Sequence, residues 1–231
     1  NHWVRQEYNR LKATNETPTY FREQLLRTYT YKGPDIEWYC RIKTSLEKNY
    51  ETFHQLLPRE GTFYDLGCGY GFLAYMLHWA APCRSFIGVD YDEEKIEVDR
   101  HNQFKDEHIS FENADLTQYS LQACNGIIIT DVLHYLLPED RLALLEKCYA
   151  ALEPGGTLII RDGVSELQER IKGTKQTELW STKLLKFNKT AHELYYISQL
   201  EIETFANTHQ MQLEILDQSK YTANLIFVLK K

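Results

Sequence analysis

The chain has 231 residues, of which 43% are hydrophobic, which is enough for one substantial core, so we expect one domain with an appendage. Its formal net charge of -7 opposes general binding to phosphate backbones, and no nucleic-acid partner is expected. No apolar run approaches the roughly 18 residues that would span a bilayer, and no secretory leader is recognised. The sequence therefore predicts no transmembrane segment.

The cysteines are the next guide to the compartment. The chain has five, and none forms a C-x-x-C motif or a Cys/His pair at metal-ligand spacing. This pattern indicates reduced thiols in a cytoplasmic setting, and it predicts no metal site.

Residues 1–60 are rich in Tyr, Arg and Glu and helical in period. Pro18 and Pro34 both stand where a helix can begin, because proline is well tolerated at the first helical position. We therefore expect an N-terminal helical extension of two or three helices over residues 1–60.

From residue 61 on, short apolar segments alternate with amphipathic helical patterns. This alternation is typical of an α/β fold with a parallel sheet and helices on both faces, so residues 61–231 are predicted to form the main domain. No helical pattern separates the last two strands, which predicts a hairpin and an antiparallel edge strand. The predicted strands are 62–66, 85–90, 109–113, 126–131, 157–161, 211–216 and 223–229.

Two helices of this domain have clear start signals. Pro138 precedes an acidic first turn and a leucine-rich face, and "EPGG" stops that helix. Ser198 and Glu201 form a capping box that predicts a helix over residues 199–209. Residues 163–196 form a longer connection than the fold needs, which is either a solvated excursion or a segment that closes over a substrate.

The segment "TFYDLGCGYGFLAYML" places Gly67, Gly69 and Gly71 between the first strand and a helix. Open α/β sheets bind ligands at this place, where bare backbone amides at a helix N-terminus can contact them. The segment also satisfies a dinucleotide pattern, G-x-G-x-x-A. Asp90 ends the next strand in "FIGVDYD" and can accept two hydrogen bonds from a ribose, which suits a dinucleotide or another nucleoside cofactor.

Five motifs in order decide between these cofactors: "DLGCGYG", "GVD", "ENADL", "IIITDVLHYL" and "LEPGGTLIIRD". Together they resemble the signature of class I S-adenosylmethionine-dependent methyltransferases, and the similarity extends over residues 61–231, including the terminal hairpin. The resemblance implies a seven-stranded, mostly parallel Rossmann-like sheet with a C-terminal antiparallel edge strand. It also implies S-adenosylmethionine as the cofactor and S-adenosylhomocysteine as the product.

The resemblance assigns a role to each motif. The three glycines would wrap the methionine half of the cofactor, Asp65 would lie near its ammonium, and Asp90 would hold the ribose. Tyr91 would pack on the adenine. The remaining cofactor contacts would come from Ala114, Asp115, Leu116 and Asp131.

Two of these aspartates have a simpler alternative. Asp115 would accept from the adenine amino group, and Asp131 would lie near the methionine amine and the reacting methyl group. Taken alone, each aspartate is as readily explained as a helix cap or a turn residue.

A sulfonium methyl group is already activated, so the protein must mainly align the acceptor and exclude water. A base is needed where the acceptor is a hydroxyl or a protonated amine, and His134 in "DVLHYL" is the candidate. The alternative for His134 is a purely structural hydrogen bond. Tyr135 is the second catalytic candidate, and both Tyr135 and Arg161 are candidates for contacting the acceptor.

The acceptor is inferred from absent motifs. There is no Asn/Asp-Pro-Pro-aromatic stretch after the fourth strand, no Pro-Cys nucleophile and no basic stripe. These absences leave a small-molecule or lipid-like acceptor as the default, and O-methylation is the reaction we favour for it. Two alternatives stay open: a non-catalytic S-adenosylmethionine-binding module that docks to or regulates partner lipid-processing domains, and a nucleotide-dependent oxidoreductase.

The flanking segments carry a second resemblance. "YFREQLLRTYTYKGPDIEWYCRIKTSLEKNY" and "STKLLKFNKT" are similar to the methyltransferase end of bacterial polypeptides that join an exporter and a lysophospholipid acyltransferase to such a domain. The start at Asn1 rather than methionine fits this expectation. The resemblance implies covalent linkage to membrane-associated domains and work at the cytoplasmic face of a membrane.

Overall fold

Contacts in a computed structural model divide the chain into two compact units. The first comprises residues up to 120 and 124–127, and the second comprises residues 121–123 and 128–231. Within the described residues, no helix is long and apolar enough to cross a membrane. The structure describes residues 17–47, 49–102, 104, 107–170, 194–218 and 222–231.

Between residue 17, where the described part of the chain begins, and the first strand, the first unit contains three α-helices. Pro18 opens a short 3-10 turn that leads into α1 (Arg22–Tyr29), and Pro34 begins α2 (Pro34–Leu46). Helix α3 follows at Asn49–Leu56. These helices lie in the same compact unit as the first three strands, and the domain boundary at residue 60 stays a prediction.

The rest of the first unit is a βαβαβ segment. Strands β1 (Glu60–Leu66), β2 (Cys83–Asp90) and β3 (Ile109–Asn113) pair in parallel. Helix α4 (Phe72–Ala80) connects β1 to β2, and all of its side chains are buried. Helix α5 (Glu93–Arg100) follows β2. The carboxyl ends of the three strands therefore lie at one edge of the sheet.

The second unit contains β5 (Leu152–Gly163), β6 (Gln212–Leu216) and β7 (Asn224–Lys230). Its helices are α6 (Pro138–Ala151) and α7 (Gln199–Thr208). As predicted, the Ser198 side chain caps α7 by accepting the Glu201 amide at 3.1 Å. The carboxylate of Glu201 binds Arg141 on α6 through two hydrogen bonds of 2.7 and 3.0 Å.

The seven strands, with β4 at Cys124–Thr130, form a mixed sheet in the order β3-β2-β1-β4-β5-β7-β6. The predicted antiparallel hairpin at the C-terminal end of the chain is confirmed. Strand β6 is the outermost strand of the sheet, and β7 runs antiparallel to both β6 and β5. Strand β5 begins five residues before the predicted 157, because "EPGG" ends the helix and is itself extended. The Gly155 amide donates to the carbonyl of Lys231 at 2.9 Å. The 163–196 connection was predicted to be either a solvated excursion or a segment that closes over a substrate, and its residues 171–193 lie outside the described residues.

Candidate functional site

The turn after β1 is held in a left-handed backbone conformation at its glycines. The φ angles are 77° at Gly67, 56° at Gly69 and 62° at Gly71. A Cβ atom on Gly71 would come within 2.6 Å of the Phe111 ring, whereas a Cβ atom on Gly69 would meet nothing within 4 Å. The sharp turn expected from the sequence is therefore present, and it leaves open space beside Gly69 in which a ligand could approach bare amides.

Asp90, at the end of β2, binds this turn directly. Its Oδ2 accepts the Gly69 amide at 2.8 Å and its Oδ1 accepts the Asp92 amide at 2.9 Å, and the residue is 6% exposed. A carboxylate oxygen can accept more than one hydrogen bond, so the ribose role proposed for Asp90 stays chemically feasible. The sequence did not predict the second role of Asp90, which is to fix the glycine turn.

Asp65, at the end of β1, is buried and incompletely paired. It is 1% exposed, and its Oδ2 has no hydrogen-bond partner among the described residues. Burial, followed by the nearby Asp90 carboxylate, raises the pKa of Asp65 to about 7. An orphaned buried carboxylate oxygen is the partner that a ligand ammonium would satisfy, so the residues at this turn fit S-adenosylmethionine.

The predicted adenine contacts after β2 and β3 differ in their exposure to solvent. Tyr91 is 53% exposed, as an adenine-packing ring would need to be, whereas Leu116 is buried. The Ala114 amide donates to the Asp90 carbonyl at 3.0 Å, which ties the end of β3 to the end of β2.

Asp115 is organised by its own turn. Its Oδ1 accepts both the amide and the hydroxyl of Thr117, each at 2.8 Å. This is the turn-residue role that the sequence left open for Asp115. Its adenine contact stays a prediction.

In the second unit, Asp131 is paired with a cation. Its backbone is left-handed, with a φ of 55°, and the Nη1 of Arg161 lies 2.6 Å from both carboxylate oxygens. The side chain of Asn224 donates to the same carboxylate at 3.2 Å. Arg161 was predicted to contact the acceptor, and in this structure it holds Asp131.

His134 lies in a 3-10 turn (Leu133–Tyr135) in the second unit. Its Nδ1 lies 2.5 Å from Oδ1 of Asp162, the residue before the end of β5. Its ring packs against Tyr135, with centroids 4.1 Å apart, and stacks on Tyr196 at 6.1 Å. The two catalytic candidates of the sequence, His134 and Tyr135, are therefore in contact with each other.

Asp162 organises this turn, a role that was not predicted from the sequence. The residue is fully buried and accepts the amides of Val132, Leu133 and Gly163 at 3.1, 2.7 and 2.7 Å. Three amide donors stabilise the carboxylate, so His134 donates from Nδ1 and carries its lone pair on Nε2. An acid near the end of a strand, in "LIIRDG", was the available signal. No group of His, Cys, Asp and Glu suited to a metal occurs in the part of the chain that the structure describes.

Comparison with known proteins agrees with these features. Residues 63–156 match a family model described as a methyltransferase domain. A carboxy-S-adenosyl-L-methionine synthase from Chromohalobacter salexigens is 32% identical over 106 residues. That match covers 44% of this chain and 39% of the relative, so the chain spans about two fifths of the length of this curated relative.

Two solved structures share the fold. One is an S-adenosylmethionine-dependent methyltransferase from Mesorhizobium loti, with a TM-score of 0.62 and 15% identity over 81% of this chain and 99% of that chain. The other is an O-methyltransferase family 2 protein from Planctomyces limnophilus in complex with apigenin, with a TM-score of 0.55 and 19% identity over 78% of this chain and 55% of that chain. The predicted Rossmann-like methyltransferase fold is thus confirmed, and residues 63–156 of it match the methyltransferase-domain model.

Proposed function

We propose that this methyltransferase domain methylates a hydroxyl group of a small-molecule or lipid-like acceptor. The observation that carries the proposal is the hydrogen bond of 2.5 Å between His134 Nδ1 and the buried carboxylate of Asp162. A base is required for a hydroxyl acceptor, and an imidazole held by a buried carboxylate would serve as that base. The structure of an O-methyltransferase family protein with apigenin supports the same acceptor class, and the lipid-like alternative rests on the resemblance of the flanking segments.

The proposed cofactor contacts follow the geometry of the first unit. The unpaired Oδ2 of Asp65 would bind the ammonium, and the open space beside Gly69 would admit the methionine half. Asp90 would accept from the ribose hydroxyls while it keeps the turn closed through Gly69. When bound, S-adenosylmethionine supplies an activated methyl group. We carry over Asp131 from the family resemblance, as the acid near the methionine amine.

His134 would remove the acceptor proton. Asp162 fixes the tautomer with the lone pair on Nε2, because Nδ1 is committed to the carboxylate. The proton would move from the acceptor hydroxyl to Nε2, and the Asp162 charge would stabilise the imidazolium that forms. Tyr135, in contact with the imidazole, would limit its rotation and line the acceptor side.

The test is methyl transfer to a panel of phenolic acceptors that includes apigenin. His134→Gln should lower the rate by about 10²- to 10⁴-fold, because a positioned general base contributes that much, and should leave S-adenosylhomocysteine affinity within about twofold. His101→Gln is the matched control, since His101 is exposed and lies in α5's C-terminal turn; its rate should equal that of the unaltered protein. Product mass identifies what is transferred.

Three outcomes would contradict the proposal. Equal rates of methyl transfer for His134→Gln and the unaltered protein would show that His134 is not the general base. Binding of S-adenosylhomocysteine without transfer to any acceptor would favour the non-catalytic module. A cofactor made heavier by a carboxylate group would point instead to the activity named for the Chromohalobacter relative.

A further inference from the structure

Helix α1 is connected to the glycine turn by one buried hydroxyl. Tyr29, the last residue of α1, is fully buried, and its hydroxyl donates to the carbonyl of Tyr70 inside the turn. The same hydroxyl oxygen lies 3.4 Å from Oδ1 of Asp99 on α5. Three separate elements therefore meet at the Tyr29 hydroxyl.

Asp99 packs against the back of the turn. It is fully buried, its Oδ2 has no hydrogen-bond partner among the described residues, and a Cβ atom on Gly71 would lie 3.2 Å from its Cγ. The Tyr75 hydroxyl donates to the Asp99 backbone carbonyl at 2.9 Å. The ionisable groups that interact with Asp99 come from several elements, and they are Tyr29, Tyr31, Asp65, Cys68, Tyr70, Asp90 and Lys95.

The proton between Tyr29 and Asp99 is assigned from the hydrogen-bond donors that the two side chains can offer. A tyrosine hydroxyl has one proton, and Tyr29 gives it to the Tyr70 carbonyl. An ionised Asp99 would be the stronger acceptor and would draw that proton away from Tyr70. With that proton committed to Tyr70, the Tyr29 oxygen is left as an acceptor, and the Asp99 carboxyl faces it at 3.4 Å. Burial, and then repulsion by Asp90, also raise the pKa of Asp99 well above its ordinary value, whereas the contact with Tyr29 and, after it, the charge of Lys95 lower it.

We propose that Asp99 and Tyr29 are positioning residues of the cofactor turn: Asp99, as a neutral acid, donates to the Tyr29 hydroxyl, which donates to the Tyr70 carbonyl. The peptide unit that contains this carbonyl also contains the Gly71 amide, so fixing one orients the other. That amide donates to the Cys68 carbonyl at 2.9 Å and closes the turn. The inference rests on the proposed binding of S-adenosylmethionine and makes helix α1 a functional part of that site.

The binding test measures S-adenosylhomocysteine affinity by calorimetry. Tyr29→Phe and Asp99→Ala should each weaken binding about fivefold to tenfold, because each breaks the donor chain. Asp99→Asn should stay within about twofold of the unaltered protein, because its carboxamide can still donate to Tyr29. Tyr31→Phe is the matched control: its hydroxyl donates to the Val98 carbonyl on α5 at 3.1 Å and not to the turn, so affinity should not change.

The protonation state has its own readout, which does not depend on ligand. The infrared difference spectrum between the unaltered protein and Asp99→Asn at neutral pH should show the loss of a carboxylic-acid carbonyl band. Loss of carboxylate bands instead would mean that Asp99 is ionised and would overturn the proposal. Thermal unfolding of each variant confirms that a change in affinity does not come from a failure to fold.

The remaining outcomes separate this inference from the proposed function. Failure of the unaltered protein to bind S-adenosylhomocysteine would refute the proposed function and the positioning role together, while the infrared measurement would still decide the state of Asp99. Normal binding by Tyr29→Phe and Asp99→Ala would refute the positioning role alone. Equal weakening by Asp99→Asn and Asp99→Ala would refute the donor chain, because the first variant retains a donor.

Discussion

At the scale of single residues, the buried Asp65 that is proposed to bind the cofactor also lowers the stability of the fold when it ionises. Its pKa in the fold is about 7, raised from 3.8 by burial and by Asp90, so the fold favours the protonated form. The stability that this form contributes is fully present below about pH 4 and is lost as pH rises towards about 7. Without cofactor, the protein should therefore become less stable as pH rises from about 4 to about 7, because Asp65 then ionises with one carboxylate oxygen unpaired.

This gives a prediction for Asp65→Asn, which cannot ionise. Between pH 4 and pH 8, the unaltered protein should lose on the order of 3 kcal/mol of unfolding free energy more than the variant. Urea denaturation across this range measures the difference. Asp35→Asn, at an exposed position in α2, should follow the unaltered protein. Parallel profiles for Asp65→Asn and the unaltered protein would show that Asp65 does not titrate in this range.

The sequence predicted the residues whose role depends on local pattern. The glycine turn and Asp90 follow from strand, turn and helix signals within about 30 residues of chain. Asp99 and Asp162 were not predicted, and neither was the contact of Tyr29 with the glycine turn, because each acts through a partner that is distant in sequence. Tyr29 and Asp99 are separated by 70 positions and His134 and Asp162 by 28, and no periodicity records such pairs.

At the scale of elements, Arg84 on β2 links α3 and α4 to the sheet through hydrogen bonds from its guanidinium group. The residue is fully buried, and all five of its N–H groups donate. Four acceptors are backbone carbonyls and the fifth is Nδ1 of His54, so none is charged. Because Arg84 can only donate, His54 must accept on Nδ1 and stay neutral, and burial, followed by Arg84, lowers the pKa of His54 to about 4. The acceptor carbonyls belong to His54, Leu57, Pro58 and Leu77.

Removing Arg84 should therefore loosen two helices at once. Arg84→Met should lower the unfolding free energy by about 3–5 kcal/mol, because it leaves several buried acceptors unpaired. Arg84→Lys should not restore it, since an ammonium has three donors and no fork geometry. Arg41→Met, which removes an exposed partner of Glu37 on α2, should change stability by less than about 0.5 kcal/mol. Chemical denaturation checks all three variants, and a small loss in Arg84→Met would mean that water replaces the guanidinium.

Element types were predictable where composition and turn signals agree. The seven strands, the terminal hairpin and the cap of α7 follow from alternation, from the missing helix between the last strands and from Ser198. The early start of β5 was not predictable, because "EPGG" has turn composition and becomes extended only through pairing of Gly155 and Gly156 with Lys231. Tertiary pairing there overrides local preference.

At the scale of the whole molecule, ligand binding should appear as stability, because a ligand that binds only the folded state shifts the unfolding equilibrium. S-adenosylhomocysteine at about 100 times its dissociation constant should add about 2.7 kcal/mol. For a chain of this length, that corresponds to a rise in Tm of about 5–10 °C. The amides of residues 67–71 and 90–92 should also exchange more slowly with solvent, because the proposed contacts lie there.

Asp90→Ala decides whether this stabilisation comes from the proposed site. The variant loses the acceptor for the ribose hydroxyls and the acceptor that holds Gly69, so the rise in Tm should fall to near zero at the same ligand concentration. The exposed Asp35→Ala should keep the full rise, and a nicotinamide dinucleotide should produce none with any form of the protein. An equal rise in Asp90→Ala would place the ligand elsewhere. A rise with the dinucleotide alone would favour the oxidoreductase, since one glycine turn with a ribose-binding acid can serve either cofactor.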